Sequence, residues 1–297
     1  MPMESSNNIF ILGKQYKTPF SRGILAHRLT RLGIPLNNGH NLANNIYRYL
    51  RRKKVSEIEE EEFIDLVKGQ LEKNFGSEIA QKYVLLEKWS ESQQPLIILI
   101  SGAPGVGKGL IAREIAFRLD IYRNFETSLL LNISQKVISE SLAPELYYPS
   151  YLAWKALRPI HSALFDKVII GFEEQVKILK AGIQAMINRA WLEKTSFILR
   201  GEHLVPQIID KEMRDNPNIL LVTLFLEDSE EHLNRILEEK RITKNTKEYF
   251  QNIRKIHDYL VESAEVMGVP IIENTNSSET VNRIFELCMN KIEKLLK

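Results

Sequence analysis

The stretch Leu96-Ile-Ile-Leu-Ile100 runs directly into Ser101-Gly-Ala-Pro-Gly-Val-Gly-Lys108-Gly109. The apolar residues predict a short buried strand, and a helical pattern follows the glycines. Gly102, Gly107 and Lys108 have the spacing G-x-x-x-x-G-K of a phosphate-binding loop, which lies between a strand and a helix. The sequence therefore predicts an α/β domain with a nucleotide-binding loop at the end of a buried strand.

Each residue type in this loop has a physical task. The glycines let the backbone curl so that its N–H groups point at phosphates, and the helix predicted from Leu110 to Leu119 adds the positive end of its dipole. Lys108 supplies a mobile charge that can bridge the β- and γ-phosphates. We therefore expect ATP as the cofactor. The residues expected to bind it are Gly102, Ala103, Pro104, Gly105, Val106, Gly107, Lys108, Gly109 and Leu110.

The residue after the lysine departs from the usual motif. Serine or threonine normally supplies a hydroxyl group to Mg²⁺ at this position, whereas this chain has Gly109 followed by Leu110. The loop resembles that of adenylate kinases, which also carry glycine there. That resemblance implies that Mg²⁺ is held mainly by water, by the phosphates and by an acidic residue elsewhere, so no metal-ligating residue is singled out.

The composition is that of an ordinary globular protein, with 44% hydrophobic and 26% charged residues. A formal net charge of +2 gives no reason to expect nucleic acid or a membrane surface as a partner. Cys288 is the single cysteine, which excludes an internal disulfide and fits a reducing compartment. The longest apolar run is too short to span a bilayer, and no signal-peptide pattern is present. We therefore expect a cytoplasmic protein, with no expectation about its oligomeric state.

The hydrophobic pattern changes near Pro95. Before it, the pattern predicts a short hairpin from Ile9 to Lys17 and then several helices, the first capped by Ser21. After it, short apolar runs alternate with helical ones, which predicts a doubly wound parallel sheet with the active site at the carboxyl ends of its strands. The predicted fold is thus α/β, with a small, mainly helical N-terminal domain. The predicted strands are Leu96–Ile100, Ser128–Leu131, Ser196–Leu199, Ile219–Leu226 and Val269–Ile272.

Polar residues after the predicted strands are candidates for catalysis. Glu202 and His203 follow the strand that ends at Leu199, so Glu202 could orient Mg²⁺ or accept the proton of the substrate hydroxyl, and His203 could hydrogen-bond the acceptor. Alternatively, the two residues cap the next helix or pair with each other. Arginines in the charged stretch after the fourth strand could close on the transferring phosphoryl group, because a guanidinium matches phosphate and stays charged. These arginines, each of which taken singly is more often a surface residue, are Arg235, Arg241 and Arg254.

An aromatic-rich insertion, residues 144–157, precedes the third strand and stands where an acceptor-binding segment is expected. Its side chains that could contact a small anionic acceptor are Tyr148, Ser150, Tyr151 and Lys155. Ordinary helix packing explains Trp154 and Leu157 better.

Taken together, these stretches resemble the archaeal 2-phosphoglycerate kinase family, which also includes mevalonate 3-phosphate 5-kinase-like members. The resemblance covers nearly the whole chain. It is carried by Pro19-Phe-Ser-Arg-Gly-Ile-Leu25, the phosphate loop, Ser150-Tyr-Leu-Ala-Trp-Lys-Ala-Leu157, Gly171-Phe172 with Gln175, Gly201 with His203-Leu-Val-Pro206, and Arg254 with Ile256, Asp258 and Tyr259.

The resemblance implies an N-terminal ATP-cone joined to a P-loop kinase domain. It places the cone-like domain at residues 7–72, a helical linker at 73–94 and the kinase domain at 95–297. The cone implies nucleotide binding, often regulatory, although a helical appendage that has lost its ligand is the alternative. The basic residues near its expected phosphate site are Lys14, Lys17, Arg22 and Arg28.

The resemblance also implies the reaction, namely transfer of the γ-phosphate of ATP to a hydroxyl group of a small phosphorylated carboxylic acid. The expected acceptor is 2-phosphoglycerate, with mevalonate 3-phosphate as the alternative. The chain departs from the family pattern at two places. Arg200 stands where the family has a glutamate, and residues 132–136 lack its Ser/Thr-Asp pair and arginine. Together with Gly109, the departure at Arg200 keeps a non-catalytic ATP-binding sensor as an alternative of another class.

Overall fold

The structure, a computed structural model, describes residues 8–14, 16–157, 166–207, 209–238 and 249–297. The chain divides into two compact units, Met1–Ser92 and Gln93–Leu295. Within the described ranges, no helix has the length and apolar character needed to cross a membrane.

The first unit combines a small sheet with helices. Strand β1 (Phe10–Leu12) pairs antiparallel with β2 (Lys17–Pro19) and parallel with β3 (Glu57–Glu59), so the predicted hairpin is present. Its helices are α1 (Arg22–Arg31), α2 (Leu36–Arg52), α3 (Glu60–Phe75) and α4 (Ser77–Ser92). Ser21 caps α1 as predicted, because its hydroxyl accepts a hydrogen bond from the Ile24 amide at 3.3 Å.

One apolar cluster holds the first unit together. Leu29 of α1, Ile46 of α2 and Phe63 of α3 are buried in it. Helix α4 occupies most of the segment expected to link the domains, and it contributes Ala80 and Tyr83 to the same cluster. Burial of these side chains is therefore what attaches α4 to the unit.

The second unit is built on a parallel sheet of five strands in the order β5-β6-β4-β7-β8. The strands are β4 (Ile97–Ser101), β5 (Asn124–Glu126), β6 (Phe197–Arg200), β7 (Ile219–Phe225) and β8 (Ile271–Glu273). The described helices are α5 (Lys108–Leu119), α6 (Thr127–Val137), α7 (Lys167–Leu192), α8 (Lys211–Arg214), α9 (Ser229–Glu238), α10 (Phe250–Val266) and α11 (Ser277–Leu295). Two short 3-10 helices, Pro144–Tyr147 and Ser150–Ala156, form what we call the 144–156 segment.

Strand β4 lies at the centre of this sheet and is covered on both faces. Ile97 and Leu99 pack with residues of α7 in one apolar cluster. Ile98 and Ile100 point to the opposite face and are fully buried as well. The loop that follows β4 therefore begins at a rigid point, at the carboxyl end of the sheet.

The predicted strand Ser128–Leu131 is wrong. The second strand in the chain is Asn124–Glu126, and helix α6 begins immediately after it. Leu130 and Leu131 both pack against one apolar cluster, which neighbouring residues of a strand cannot do because their side chains alternate between faces. A short apolar run does not by itself distinguish a strand from part of a helix.

Candidate phosphotransfer site

The loop between β4 and α5 has a conformation that depends on its glycines. Gly105 and Gly107 have φ angles of 85° and 87°, in the left-handed region that other residues rarely adopt. A Cβ atom at Gly105 would lie 2.3 Å from Ile236 Cγ1, and one at Gly107 would lie 2.4 Å from Asn274 Nδ2. Curvature and close packing therefore both require glycine at these positions.

The loop offers donors to an anion. The backbone amides of Gly105, Val106 and Gly107 donate no hydrogen bond to any other residue that the structure describes. The amino group of Lys108 lies over the loop and donates to the Ala103 carbonyl at 2.7 Å, and only 8% of this residue is exposed. Available amides, a helix N-terminus and a nearly buried ammonium group fit the phosphates of a nucleotide.

Two side chains from distant elements hold the outside of the loop. His232 Nε2 lies 2.7 Å from the Pro104 carbonyl oxygen and therefore donates to it. Asn274, which follows β8, donates to the Val106 carbonyl at 2.9 Å. Binding of these two carbonyls by side chains fixes the path of the loop without using its amides.

Two of the three predicted arginines lie beside this loop. Arg235 donates to the Asn274 carbonyl at 2.8 Å and pairs with Glu231. Arg254 donates to the Leu226 carbonyl at 2.8 Å and to His232 Nδ1 at 3.3 Å. The third, Arg241, lies outside the described residues. Arg235 thus reaches Asn274, which holds Val106, and Arg254 reaches His232, which holds Pro104. Both guanidinium groups also donate to backbone carbonyls.

Glu202 is an ionised carboxylate near Lys108. Burial alone would raise its pKa, but the neighbouring His203 ring, the charge of Lys108 and a hydrogen bond from Ser150 together outweigh burial, so the pKa lies below its ordinary value. The Ser150 hydroxyl donates to Glu202 Oε1 at 3.2 Å. A carboxylate of low pKa is a weak general base, so Glu202 is better suited to orienting a hydroxyl group or a metal-bound water.

His203 is only 2% exposed, and both of its ring nitrogens have partners within the protein. Nε2 lies 2.9 Å from Gln175 Oε1, and Nδ1 lies 2.9 Å from the Thr127 hydroxyl. Burial lowers the pKa of His203, so the ring is neutral at pH 7. With both nitrogens bonded, His203 holds neighbouring elements together and has no ring nitrogen left for an acceptor.

The predicted contacts of the aromatic-rich insertion divide into three groups. Ser150 reaches the site through Glu202. The Lys155 amino group instead donates to the Tyr249 hydroxyl at 3.2 Å. The Tyr151 ring packs against the Tyr249 ring, with 6.4 Å between the ring centres. For Tyr148, the structure shows a backbone role, since its carbonyl accepts from Gln175 at 3.0 Å.

Sequence reasoning missed several residues that support the site. The local patterns give no role to Thr127, His232 or Asn274, and Gln175 enters only through the family resemblance. Asn274 stands two residues after the predicted strand Val269–Ile272, at the same sheet edge as the phosphate loop, and that position is a signal that could have found it. No comparable local signal marks His232, which lies inside α9.

The described residues contain no cluster of three or more histidine, cysteine or acidic side chains suited to a metal ion. Glu202 is the carboxylate that the charge of Lys108 influences, and Gly109 offers no hydroxyl group. Among the described residues, a Mg²⁺ ion at this loop would have Glu202 as a nearby carboxylate and would take its other ligands from phosphates and water.

Comparison with known proteins gave consistent relatives. The 2-phosphoglycerate kinase of Methanopyrus kandleri is 35% identical over 292 residues, which cover 96% of this chain and 88% of that protein. The 2-phosphoglycerate kinase of Methanocaldococcus jannaschii is 36% identical over 299 residues, which cover 99% of this chain and 94% of that protein. Shikimate kinase from Acinetobacter baumannii, solved with shikimate, aligns with 68% of this chain and 97% of that chain, at 14% identity and a TM-score of 0.41. No protein-family model matches the chain.

Proposed function

The chain belongs to the 2-phosphoglycerate kinase family and is a phosphotransferase with an alcohol group as acceptor, and we propose that it uses ATP to phosphorylate 2-phosphoglycerate. The product would be 2,3-bisphosphoglycerate. The observation that carries this proposal is that the relatives match both units of the chain and not the phosphate loop alone.

ATP would be bound at the loop after β4. The unused amides of Gly105, Val106 and Gly107 would bind phosphate oxygens, and Lys108 would exchange its bond to the Ala103 carbonyl for the β- and γ-phosphates. When bound, ATP supplies the phosphoryl group. The loop residues stabilise charge on that group, and most of the rate acceleration comes from this positioning and electrostatic stabilisation.

The acceptor would lie between the 144–156 segment and Glu202. Glu202 accepts a hydrogen bond from the acceptor hydroxyl and takes its proton as the oxygen bonds to the γ-phosphorus and the bond to the β-phosphate breaks. Ser150 keeps the carboxylate in place. Because the carboxylate has a lowered pKa, proton transfer would come late, as expected for a loose phosphoryl-transfer reaction.

The arginines after β7 would complete the site. We propose that Arg235 and Arg254 hold the backbone segments that flank the loop, since Arg235 donates to the Asn274 carbonyl after β8 and Arg254 to the Leu226 carbonyl after β7. Arg241 is proposed as the arginine that closes on the transferring phosphoryl group. Mg²⁺ would screen the phosphates, held mainly by them and by water, with Glu202 close by.

For the first unit, we propose an ATP-cone-like role for residues 7–72, linked through residues 73–94 to the kinase domain at 95–297. A cavity of about 330 Å³ in this unit is lined by Asn8, Ser21, Arg22 and Tyr47, among others. The Arg22 guanidinium lies 5.0 Å from the centre of the Tyr47 ring. A cation beside an aromatic ring suits the phosphate and the base of a nucleotide. Titration calorimetry of the full chain with ATP should then show a second binding event, which Arg22→Ala removes; a single event in the unmodified protein would contradict this role.

The acceptor is tested by an assay with ATP, Mg²⁺ and one acceptor at a time. ADP release is measured with 2-phosphoglycerate, with its isomer 3-phosphoglycerate as matched control, and with mevalonate 3-phosphate. We expect ADP only with 2-phosphoglycerate, and ³¹P NMR should identify the bisphosphate. Release only with mevalonate 3-phosphate would replace the proposed substrate, and release with none of the three would refute the proposal.

A further inference from the structure

Arg200 occupies the space beside Gly109 that the side chain of a serine or threonine would approach. A Cβ atom built on Gly109 would lie 3.8 Å from Arg200 Nε. Arg200 ends β6 and pairs in register with Ile100 of β4, the strand that leads into the phosphate loop. The guanidinium group is therefore next to the first turn of α5, where the loop presents its donors.

The partners of Arg200 leave its Nε–H group unused. Nη1 donates to Asn124 Oδ1 at 3.0 Å, and Nη2 lies 3.0 Å from Glu126 Oε2. Both partners belong to β5. The Nε–H group donates to no other residue in the part of the chain that the structure describes. Thus β5 holds the two outer nitrogens, while the group nearest Gly109 remains available.

We propose that Arg200 is a phosphate-binding residue, which contacts the nucleotide phosphates at the start of α5 and supplies positive charge where Gly109 supplies no hydroxyl group. The inference rests on the proposed binding of ATP at the loop. A guanidinium suits this task because it keeps its charge and presents fixed N–H donors to phosphate oxygens.

Glu126 is central to the test because it neutralises Arg200. If Arg200 binds phosphate, the Glu126 carboxylate competes with the nucleotide for the same guanidinium, and removal of its charge should favour binding. If the ion pair only ties the ends of β5 and β6 together, loss of either partner should weaken ATP binding. Under the proposal, Arg200→Gln and Glu126→Gln therefore change the affinity for ATP in opposite directions. Under the structural alternative, both substitutions lower that affinity.

The experiment is titration calorimetry of ATP binding by the full chain, with EDTA present so that Mg²⁺ does not screen the phosphates. The variants are Arg200→Gln, Arg200→Lys and Glu126→Gln, each checked for folding by circular dichroism and thermal unfolding. We expect Arg200→Gln to weaken binding at the loop about tenfold, the scale of one lost charge-assisted hydrogen bond. Glu126→Gln should tighten binding, and Arg200→Lys should weaken it less than Arg200→Gln.

The outcomes separate the inference from the proposed function. If the unmodified protein binds no ATP, the proposed function fails and the inference fails with it. If the unmodified protein binds ATP and Arg200→Gln binds equally well, only the inference fails. Equal weakening by Arg200→Gln and Glu126→Gln would assign the pair to strand attachment and also overturn the inference. Should Arg200→Gln not fold, tightening by Glu126→Gln supports the inference, and weakening by it overturns the inference.

Discussion

His203 Nε2 lies 2.9 Å from Gln175 Oε1, and the other bonds of Gln175 fix the direction of this hydrogen bond. The Gln175 amide group donates both hydrogens, to the carbonyls of Glu145 at 2.9 Å and Tyr148 at 3.0 Å. Its oxygen must therefore accept, so His203 Nε2 carries the proton and Nδ1 accepts from the Thr127 hydroxyl. One neutral histidine thus connects the start of α6, helix α7 and the 144–156 segment.

Gln175→Glu should disrupt this network at its centre. The new oxygen cannot donate to the two carbonyls, so the 144–156 segment loses these two hydrogen bonds and the unfolding free energy falls by about 2 kcal/mol. If the segment positions the acceptor, KM for 2-phosphoglycerate should rise about tenfold, while KM for ATP changes little. Steady-state kinetics with each substrate varied will measure the two effects. Gln81→Glu, at an exposed position of α4, is the control; a loss of stability with both KM values unchanged would leave the network a purely structural role.

Lys108→Ala should abolish turnover and leave the fold intact. Its amino group donates to the carbonyl of Ala103, a residue of the same loop, and alanine is compatible with the first turn of α5. Loss of one charge that stabilises the transferring phosphoryl group should lower kcat by at least about 100-fold. Activity and thermal unfolding are measured side by side, with Lys136→Ala on the exposed side of α6 as control. Undiminished turnover would refute the assignment of the loop.

Gly109→Ser should be tolerated. The nearest atom to a Cβ at this position is Arg200 Nε at 3.8 Å, an ordinary contact distance. We expect Mg²⁺-dependent activity to be retained or raised, because the new hydroxyl group stands where many phosphate loops bind the metal. The measurement is initial rate against free Mg²⁺ concentration, with Gly107→Ser, whose Cβ would lie 2.4 Å from Asn274 Nδ2, as a variant expected to lose activity. Complete inactivity of Gly109→Ser would disprove the analogy with adenylate kinases.

Gly201→Ala should be strongly destabilising. A Cβ at this position would lie 1.8 Å from the Thr127 hydroxyl oxygen, the same group that donates to His203. We expect a loss of at least about 3 kcal/mol of unfolding free energy, measured by urea denaturation. Gly69→Ala is the matched control, since a Cβ there meets nothing within 4 Å and should stabilise α3 by up to about 1 kcal/mol. Similar stabilities for the two variants would contradict the close packing at Gly201.

His232 should make the protein less stable in acid. Burial is the largest cause that lowers its pKa to about 4, although the bond to the Pro104 carbonyl opposes that shift. Because the folded-state pKa lies below the unfolded value near 6.5, the unfolded chain takes up the proton first as pH falls. The contribution of neutral His232 to the unfolding free energy is therefore complete above about pH 6.5. It decreases as the pH falls toward 4, by roughly 3 kcal/mol at most.

The check is urea denaturation at several pH values between 7.5 and 4. We expect His232→Gln to show a flatter dependence of unfolding free energy on pH than the unmodified protein. Burial also lowers the pKa of His203 and His257, so part of the acid sensitivity should remain. His40→Gln, at an exposed position of α2, serves as control. An unchanged slope for His232→Gln would show that this histidine is not the group responsible.

The sequence by itself determined the family, the fold class and the strand–loop–helix unit around Lys108. These features follow from patterns between residues close together in the chain, namely an apolar strand, fixed glycine spacing and a following helix. The family resemblance is confirmed by relatives that match nearly the full length. The same local reasoning was wrong at Ser128–Leu131, because three neighbouring leucines are compatible with either element and only their packing decided for a helix.

Only the tertiary structure decided which side chains surround the loop. Asn274 and Val106 are 168 residues apart in the chain and 2.9 Å apart at their hydrogen bond, and His203 meets Thr127 across 76 residues. Arg200 approaches Gly109 because β6 lies next to β4 in the sheet, although ninety other residues separate them in sequence. Strand order sets such pairings, and strand order depends on how the helices cover both faces of the sheet, which no local spacing records.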